Sequence, residues 1–263
     1  PFGLYGPYNQ YKSAPIVQLA LGGYLYLTGR PDREPLMLPG YQPDYLAGLN
    51  GHNAVEIALW EREKTGKGVF LDMSILETLV TLHQFTFEML TYEGYIRRRN
   101  GNLWQKDGSF ANYGITTIPY SDGHICFGIA TEDQWERLCL MLEREDLLSN
   151  PDFQTRGKRR VKAEYLDDAI TKWVGSKTRH EVMLETSDIW GLPTSPVLSL
   201  KEIMNDPQFE ARNLFSDIEH PIAGKAKYPS FSFQTDHIPT NLTAAPTLGQ
   251  NNDEYNIAAT QSE

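Results

Sequence analysis

The chain has 263 residues, of which 40% are hydrophobic and 22% are charged. This length is sufficient for one or two domains with a substantial core, and it excludes a small protein that relies on a metal ion or disulfides for stability. With 24 basic and 34 acidic residues, the formal net charge is −10. Such a charge disfavours nucleic-acid binding, because proteins of that class usually present a basic surface.

The cysteine content and the hydropathy pattern predict a cytoplasmic protein. Cys126 and Cys139 are the two cysteines of the chain, so there is no disulfide framework and a reducing compartment is expected. We expect no membrane segment, because no apolar run approaches the roughly 18 residues that a membrane helix needs. The chain opens at Pro1, without Met and without the basic and apolar regions of a signal peptide. Because it lacks Met and opens inside a predicted strand-to-turn junction, we expect a further segment to precede it.

Hydrophobic spacing, glycine stops and proline-rich stretches divide the first part of the chain into helices and loops. Ser74 and Glu77 stand at the spacing of a capping box, which marks a helix start. The predicted elements are a short helix in 16–23, a loop over 24–43, a helix from Asp44 to about Lys64, a short buried strand at 69–73 and a helix from 75 to about 97.

A basic run at 97–99 and a polar stretch at 100–109 predict a linker, after which strands and helices mix. Three further capping boxes begin at Thr131, Thr178 and Ser199. Strands and helices in this order predict an α/β or α+β class. The predicted elements are a hairpin of strands 115–118 and 125–129, a helix at 161–174, an edge strand at 193–198, and a return arm with short strands from Asn205 to a frayed tail after 251.

Most generic catalytic motifs are absent from the sequence. It has no nucleophile elbow, no dinucleotide fingerprint and no P-loop. His180 and Glu181 lack the second histidine of a zinc-protease helix, and no metal site is expected. His83 on an apolar helix face is interpreted as a core residue rather than a ligand, and a functional role for His52 stays open.

Asp44 is the candidate for catalysis. It follows a loop rich in glycine and proline and precedes Ala47, Gly48 and Gly51. One interpretation is a plain N-cap, for which aspartate is among the preferred residues. The other is a carboxylate nucleophile, because the helix start favours negative charge and the small residues leave room for a bulky substrate.

An ordered series of motifs covers nearly the whole chain and resembles the class III coenzyme A transferases, such as formyl-CoA and carnitine-CoA transferases. The motifs are Pro1-Phe2-Gly3 with Gly6-Pro7-Tyr8; Gly22-Gly23 with Leu27-Thr28-Gly29; Asp44-Tyr45 with Ala47-Gly48; Thr65-Gly66-Lys67-Gly68; Asp72-Met73-Ser74; Tyr120 with Asp122-Gly123; Gln134-Trp135; Gly191 with Pro193; Asp206-Pro207-Gln208; and His220-Pro221.

The resemblance implies a covalent mechanism at Asp44. In that family the matching aspartate attacks an acyl-CoA thioester and forms an aspartyl-acyl anhydride. An aspartyl-CoA thioester follows, from which a small carboxylic acid takes the coenzyme A. Acyl-CoA and coenzyme A are then substrates, and no permanently bound cofactor is expected.

The resemblance also implies an α/β fold made of an incomplete Rossmann-like large domain and a smaller α+β domain. The implied divisions are 1–75 in the large domain, with Asp44; 76–104 as helix and linker; 105–198 as the small domain; and 199–263 as a return arm and tail. Family members form interlocked homodimers. The N-terminal half of the large domain has no counterpart in this chain, so the resemblance implies a partner chain that supplies it, or a fragment.

Further site residues follow from the resemblance alone. A stretch that contacts CoA corresponds to Lys12, Ser13 and Ala14, although Lys12 also fits a solvated surface position. The mobile glycine loop of the family corresponds to 106–109, where Gly108 and Ser109 either cover the intermediates or form an exposed linker turn. The basic run 97–99 either attracts an anionic CoA or is simply solvated.

Three functional interpretations remain open. The first is a CoA-transferase acting on an acyl-CoA and a small carboxylate. The second is an acyl-CoA racemase or isomerase of the same fold, which Ala14 disfavours because racemases have an acid/base histidine at this place. The third is a non-catalytic subunit or fragment that needs a partner chain. No nucleic-acid or membrane partner is expected.

Overall fold

The computed structural model describes residues 1–102, 113–237 and 242–255. The chain divides into two compact units, a first unit of residues 1–196 and a second unit of residues 197–263. Helices and antiparallel strands occur together, which confirms the predicted mixed α and β class. Among the described residues no helix is both long and apolar enough to cross a membrane.

The first hundred residues of the first unit form helices and loops. Helices α1, α3 and α4 pack against one another, and α2 packs against α1. The helices are α1 (Pro15–Leu21), α2 (Tyr24–Leu27), α3 (Gln42–Thr65), α4 (Ile75–Thr81) and α5 (Gln84–Glu93).

Three predictions for this region are wrong. The loop expected over 24–43 begins with helix α2 (Tyr24–Leu27). The expected buried strand at 69–73 has no strand conformation, and Phe70 within it is 80% exposed. A strand is stable only when a neighbour accepts and donates its backbone hydrogen bonds, and no segment of the described residues pairs with this one. The single helix expected over 75–97 is broken between α4 and α5, where His83 turns its ring to the Gly22 carbonyl oxygen, 2.8 Å from Nε2.

The rest of the first unit builds one hydrophobic core around a three-stranded antiparallel sheet of order β1-β2-β3. The hairpin register pairs Tyr120 with Gly123 at the turn, so the predicted hairpin is confirmed, as is the edge strand. The strands are β1 (Ile115–Tyr120), β2 (Gly123–Gly128) and β3 (Thr194–Pro196), and the helices are α6 (Glu132–Met141), α7 (Asp146–Ser149), α8 (Arg156–Val161), α9 (Ala163–Val174) and α10 (Arg179–Leu184).

The core is formed by the inner face of the sheet and the apolar faces of α6 and α9. Phe127, Leu138 and Leu166 are almost completely shielded from solvent. Cys139 lies beside them, and burial raises the pKa of its thiol to about 12. Cys126 is only half-buried.

Reciprocal caps fix where several helices begin. Thr131, Thr178 and Ser199 each accept a hydrogen bond from the backbone N–H three residues on, and the side chain at that position bonds back to the cap. These are three of the four capping boxes that the sequence predicts. At the fourth, the Ser74 hydroxyl accepts from the Glu77 backbone N–H at 3.2 Å, and within the described residues the Glu77 side chain makes no return bond.

The second unit is small and less regular. It contains helices α11 (Leu200–Ile203) and α12 (Pro207–Ala211) and a hairpin of β4 (Phe215–His220) and β5 (Gly224–Pro229). The predicted short strands of the return arm are therefore confirmed.

Candidate active site

Asp44 lies in the first turn of the longest described helix, but it is not the N-cap. Helix α3 begins at Gln42 with Tyr41 as its N-cap, and the Tyr41 carbonyl oxygen accepts hydrogen bonds from the backbone N–H groups of Asp44 (3.0 Å) and Tyr45 (3.1 Å). Pro43 is buried in the first turn, where its fixed φ suits the helix and its missing N–H costs nothing. The N-cap interpretation of Asp44 is therefore wrong.

The carboxylate of Asp44 is available for chemistry. The residue is exposed, and within the described residues its side chain makes no hydrogen bond or ion pair. The free N–H groups and the macrodipole at the start of a 24-residue helix favour negative charge at this position.

Small residues leave space beside Asp44. Ala47 and Gly48 follow at the spacings that share its helix face. A methyl group added at Gly48, or at Gly40 in the preceding loop, would meet no atom within 4 Å. Gly51 has a different role, because a methyl group there would come within 3.2 Å of the Met73 sulfur. Gly48 thus keeps open space on the helix, and Gly51 allows α3 to pack closely against the segment before α4.

The expected CoA-contacting residues lie at the start of α1. Lys12 is exposed, and Ala14 is the N-cap of α1 without a side-chain hydrogen bond. Ser13 is half-buried, and its shielded Oγ has no hydrogen-bond partner within the described part of the chain. Among the described residues no hydrogen bond or ion pair joins these three to Asp44. Gly108 and Ser109 lie outside the described residues.

The loop before α1 is held by contacts that motif spacing does not reveal. The Leu4 backbone N–H lies 3.1 and 3.2 Å from the two carboxylate oxygens of Asp72. The Pro1 carbonyl oxygen accepts hydrogen bonds from the backbone N–H of Leu76 (3.0 Å) and from the Ser74 hydroxyl (3.3 Å). The loop that leads to Lys12 is therefore fixed to the segment before α4. The matching motifs were the signal for Asp72, whereas Ser74 was also indicated by its capping-box spacing to Glu77.

The basic run is partly packed rather than fully solvated. Arg97 and Arg99 are half-buried, and Arg98 is exposed. The Arg99 Nε donates to the Arg30 carbonyl oxygen at 3.4 Å, and the Gly101 N–H donates to the Gly29 carbonyl oxygen at 3.0 Å. The start of the predicted linker is therefore attached to the proline-rich loop.

A cavity of about 840 Å³ lies beside this attachment. Its wall includes Asp167, whose Oδ1 accepts a hydrogen bond of 2.8 Å from the buried Tyr113 hydroxyl. Burial raises the pKa of the Asp167 carboxyl, whereas hydrogen bonds from Tyr113 and Thr116 oppose that shift. Sequence reasoning missed this group, because the partners are far apart in the chain and follow no motif.

The histidines singled out earlier do not join a site with Asp44. His52 is exposed and lies 3.9 Å from the Glu56 carboxylate. His83 is half-buried against Tyr24, with ring centroids 4.3 Å apart. In the described residues no group of three or more metal-binding side chains occurs.

Comparison with known proteins places the chain in a family. The model of CoA-transferase family III matches residues 1–252. The alpha subunit of succinyl-CoA–L-malate CoA-transferase from Chloroflexus aurantiacus is 31% identical over 252 residues, which cover 94% of this chain and 57% of the relative. Formyl-CoA:oxalate CoA-transferase from Streptomyces coelicolor is 24% identical, covering 96% of this chain and 64% of the relative.

A solved structure shows the same fold. The crystal structure of a CaiB/BaiF family protein from Brucella suis superposes with a TM-score of 0.79 at 24% sequence identity. The match covers 97% of this chain and 65% of that protein. The chain thus spans between about half and two thirds of the length of these relatives. By the extent of the family match, the chain is a member of CoA-transferase family III.

Proposed function

We propose that the protein transfers coenzyme A from an acyl-CoA to a small carboxylic acid, with Asp44 as the covalent nucleophile. The observation that carries the proposal is the unengaged Asp44 carboxylate in the first turn of α3, beside the open space at Gly48. Family membership supports the reaction class. The related enzymes are named for transfer between succinyl-CoA and malate and between formyl-CoA and oxalate.

The proposed reaction runs through two covalent species. One Asp44 carboxylate oxygen attacks the thioester carbonyl carbon, and the C–S bond breaks. The CoA thiolate departs, and Asp44 then carries an aspartyl-acyl anhydride. The thiolate then attacks the aspartyl carbonyl carbon, which releases the donor acid and leaves an aspartyl-CoA thioester. Attack by the acceptor carboxylate forms a second anhydride, and the thiolate then attacks its acceptor carbonyl, which yields the new acyl-CoA and frees Asp44.

The position of Asp44 suits this chemistry. A carboxylate nucleophile needs no general base, and the anhydride and thioester keep the high transfer potential of the substrate. The start of α3 favours the negative charge that the free carboxylate carries before attack, an effect of about 0.3 to 1 kcal/mol at an exposed site. An exposed carboxylate is also accessible to a substrate as large as an acyl-CoA.

Binding of the CoA moiety is assigned to the loop before α1. In this proposal Lys12, Ser13 and Ala14 contact the CoA, with the Lys12 ammonium attracting a phosphate, and Gly108 and Ser109 cover the intermediates. The anchoring of this loop through Leu4 and Asp72 supports a fixed platform there. Ala14 carries no titratable group, so the isomerase alternative lacks an acid or base at that position.

The proposed assembly is a homodimer, or a complex with a chain that supplies the N-terminal half of the large domain. The name "alpha subunit" of the related malate enzyme supports a second chain. The proposed division keeps 1–75 and 199–263 in the large domain, 105–198 in the small domain and 76–104 between them.

The test compares two acidic residues at the same helix position. Asp44 is the third residue of α3, and Glu77 is the exposed third residue of α4. Removing the charge at either position costs a similar dipole interaction, so both variants should have similar stability. Transfer from succinyl-CoA or formyl-CoA to a panel of carboxylates is expected to disappear in Asp44→Asn and to persist in Glu77→Gln.

Trapping with hydroxylamine during turnover gives the second readout. Mass spectrometry is expected to find a hydroxamate at Asp44, because hydroxylamine attacks an anhydride or thioester there. Turnover that survives Asp44→Asn, or a hydroxamate at another carboxylate, would overturn the assignment. If no acyl-CoA is consumed by the chain alone or mixed with an N-terminal half-domain, the non-catalytic interpretation is correct.

A further inference from the structure

A second pocket lies in the first unit, away from the helix that carries Asp44. Its volume is about 250 Å³. It is lined by the junction of α1 and α2, by α4 and α5, and by the segment after α5, and no residue of α3 contributes to its wall. It is therefore distinct from the site proposed for acyl transfer.

The pocket wall is almost entirely apolar. Several hydrophobic residues of the wall are exposed to solvent. Clusters of exposed hydrophobic residues are uncommon in soluble proteins and usually mark a binding site. The exposed apolar residues of the wall are Leu21, Tyr26, Val80, Phe87, Leu90 and Ile96.

Two nitrogen-bearing side chains lie within this apolar wall. Arg97 is half-buried, and desolvation lowers the pKa of its guanidinium, although it stays charged at neutral pH. His83 is half-buried as well, and desolvation lowers the pKa of its imidazole. The hydrogen bond to Gly22 opposes this shift, and the Arg97 charge adds to it. The Gly22 carbonyl oxygen, 2.8 Å from the His83 Nε2, can only accept a hydrogen bond, so Nε2 carries the proton. The pocket thus presents one positive charge and a neutral imidazole.

We propose that this pocket binds a small apolar monocarboxylate, with the alkyl chain against the hydrophobic wall and the carboxylate on the Arg97 guanidinium. An apolar concave site with a few convergent polar groups is the usual form of a small-molecule site. Arginine pairs with carboxylates through two parallel N–H···O bonds. Arg97 also interacts with other groups of the protein, and its five N–H donors allow it to keep them while it binds a carboxylate.

The size of the pocket sets the length of the ligand. Sites for small molecules usually start at about 300 Å³, so a pocket of about 250 Å³ suits a short ligand. Hexanoate, with six carbons and two oxygens, is the matching probe. Two control compounds have the same six-carbon alkyl group. Hexanol carries no charge, and hexylammonium carries a positive one.

The first experiment follows the histidine signals of the full chain by NMR while hexanoate is added, with the His83→Gln variant used to assign the His83 resonance. Saturable shifts of the His83 signal are expected with hexanoate, weaker binding with hexanol and none with hexylammonium. A bound carboxylate opposes the Arg97 charge, so the pKa of His83 is expected to rise on binding. The other titratable groups around the ring and the pocket are the phenols of Tyr24, Tyr26 and Tyr95.

Adjacent arginines provide a matched pair of variants. Arg97 lines the pocket, and Arg98 is exposed and does not. Arg97→Gln is expected to weaken hexanoate binding by about tenfold to a hundredfold, the usual loss for a hydrogen bond to a charged group. Arg98→Gln is expected to change it by less than about twofold. Arg97→Lys keeps the charge, and it provides the comparison if the glutamine variant does not fold.

Several results would overturn the proposal. The first is equal affinity for hexanol and hexanoate. The second is an equal loss of hexanoate affinity in Arg97→Gln and Arg98→Gln. The third is a His83 NMR signal that does not shift when hexanoate is added. A self-association that hexanoate does not compete with, and that buries Phe87 and Leu90, would assign the pocket to an interface between copies instead. Hexanoate binding in this pocket does not involve Asp44. Turnover in the acyl-transfer assay therefore neither supports nor weakens the proposal for this pocket.

Discussion

The contribution of the hydrogen bond between Tyr113 and Asp167 to the stability of the first unit should depend on pH. Tyr113 is 3% exposed, and its hydroxyl donates to the Asp167 Oδ1 at 2.8 Å. Tyr113→Phe keeps the ring and removes only this donor. A hydrogen bond to a charged group contributes about 1.5 to 3 kcal/mol to the free energy of unfolding, and one between neutral groups contributes about 0.5 to 1.5 kcal/mol.

The direction of the pH effect follows from the Asp167 carboxyl. Burial raises its pKa above the ordinary value, and the bond from Tyr113 is one of the interactions that lower it. An acid whose pKa is higher in the folded state gives stability that is fully present below the unfolded pKa and is lost as pH rises through the folded pKa. Removing the Tyr113 hydroxyl raises the folded pKa of Asp167 further, so the variant loses more stability at neutral pH than at acid pH.

Urea denaturation followed by tryptophan fluorescence measures the effect, because Trp135 lies in this core. We expect Tyr113→Phe to cost about 2 to 3 kcal/mol at pH 7 and about 1 kcal/mol near the unfolded pKa of Asp167. Tyr120→Phe is the control, since Tyr120 packs against the same core and its hydroxyl bonds to no described residue. A loss that is independent of pH, or equal in the two variants, would refute the reasoning.

Two further changes test local packing and backbone strain. Leu138→Ala, at a side chain with no solvent exposure, is expected to lower the free energy of unfolding by about 3 kcal/mol, and Leu140→Ala, where 38% is exposed, by less than about 1 kcal/mol. Equal losses in urea denaturation would contradict the assigned core. Glu143→Gly is expected to raise the stability by up to about 1 kcal/mol, because Glu143 adopts a φ of 56°. Asn213→Gly should gain less at its φ of 51°, since asparagine tolerates this conformation, and a larger gain at Asn213 would be inconsistent with that cause.

Features that depend on a few neighbouring residues could be predicted from the sequence. The capping boxes at Thr131, Thr178 and Ser199 require only the cap residue and the side chain three positions on. The hairpin turn at Tyr120 to Gly123 also follows from adjacent residues. Helix α3 was predicted two residues late, although Pro43 before Asp44 already favoured an earlier start.

Features that depend on distant partners could not be predicted in the same way. The apolar residues at 69–73 favour a strand, but whether they form one depends on a neighbouring segment. The bond from Tyr113 to Asp167 and the bond from Leu4 to Asp72 each join residues more than 50 positions apart. For the candidate site, the sequence identified Asp44 and the small residues after it, whereas its free carboxylate became visible only in the structure.

The three-stranded sheet of the first unit has a proline in each of its outer strands, Pro119 in β1 and Pro196 at the end of β3. Proline has no backbone N–H, so neither border offers a continuous row of donors to an added strand. Strand β3 is also only three residues long. These borders therefore discourage fibre growth by edge-to-edge pairing, and replacing either proline would remove part of that protection against aggregation.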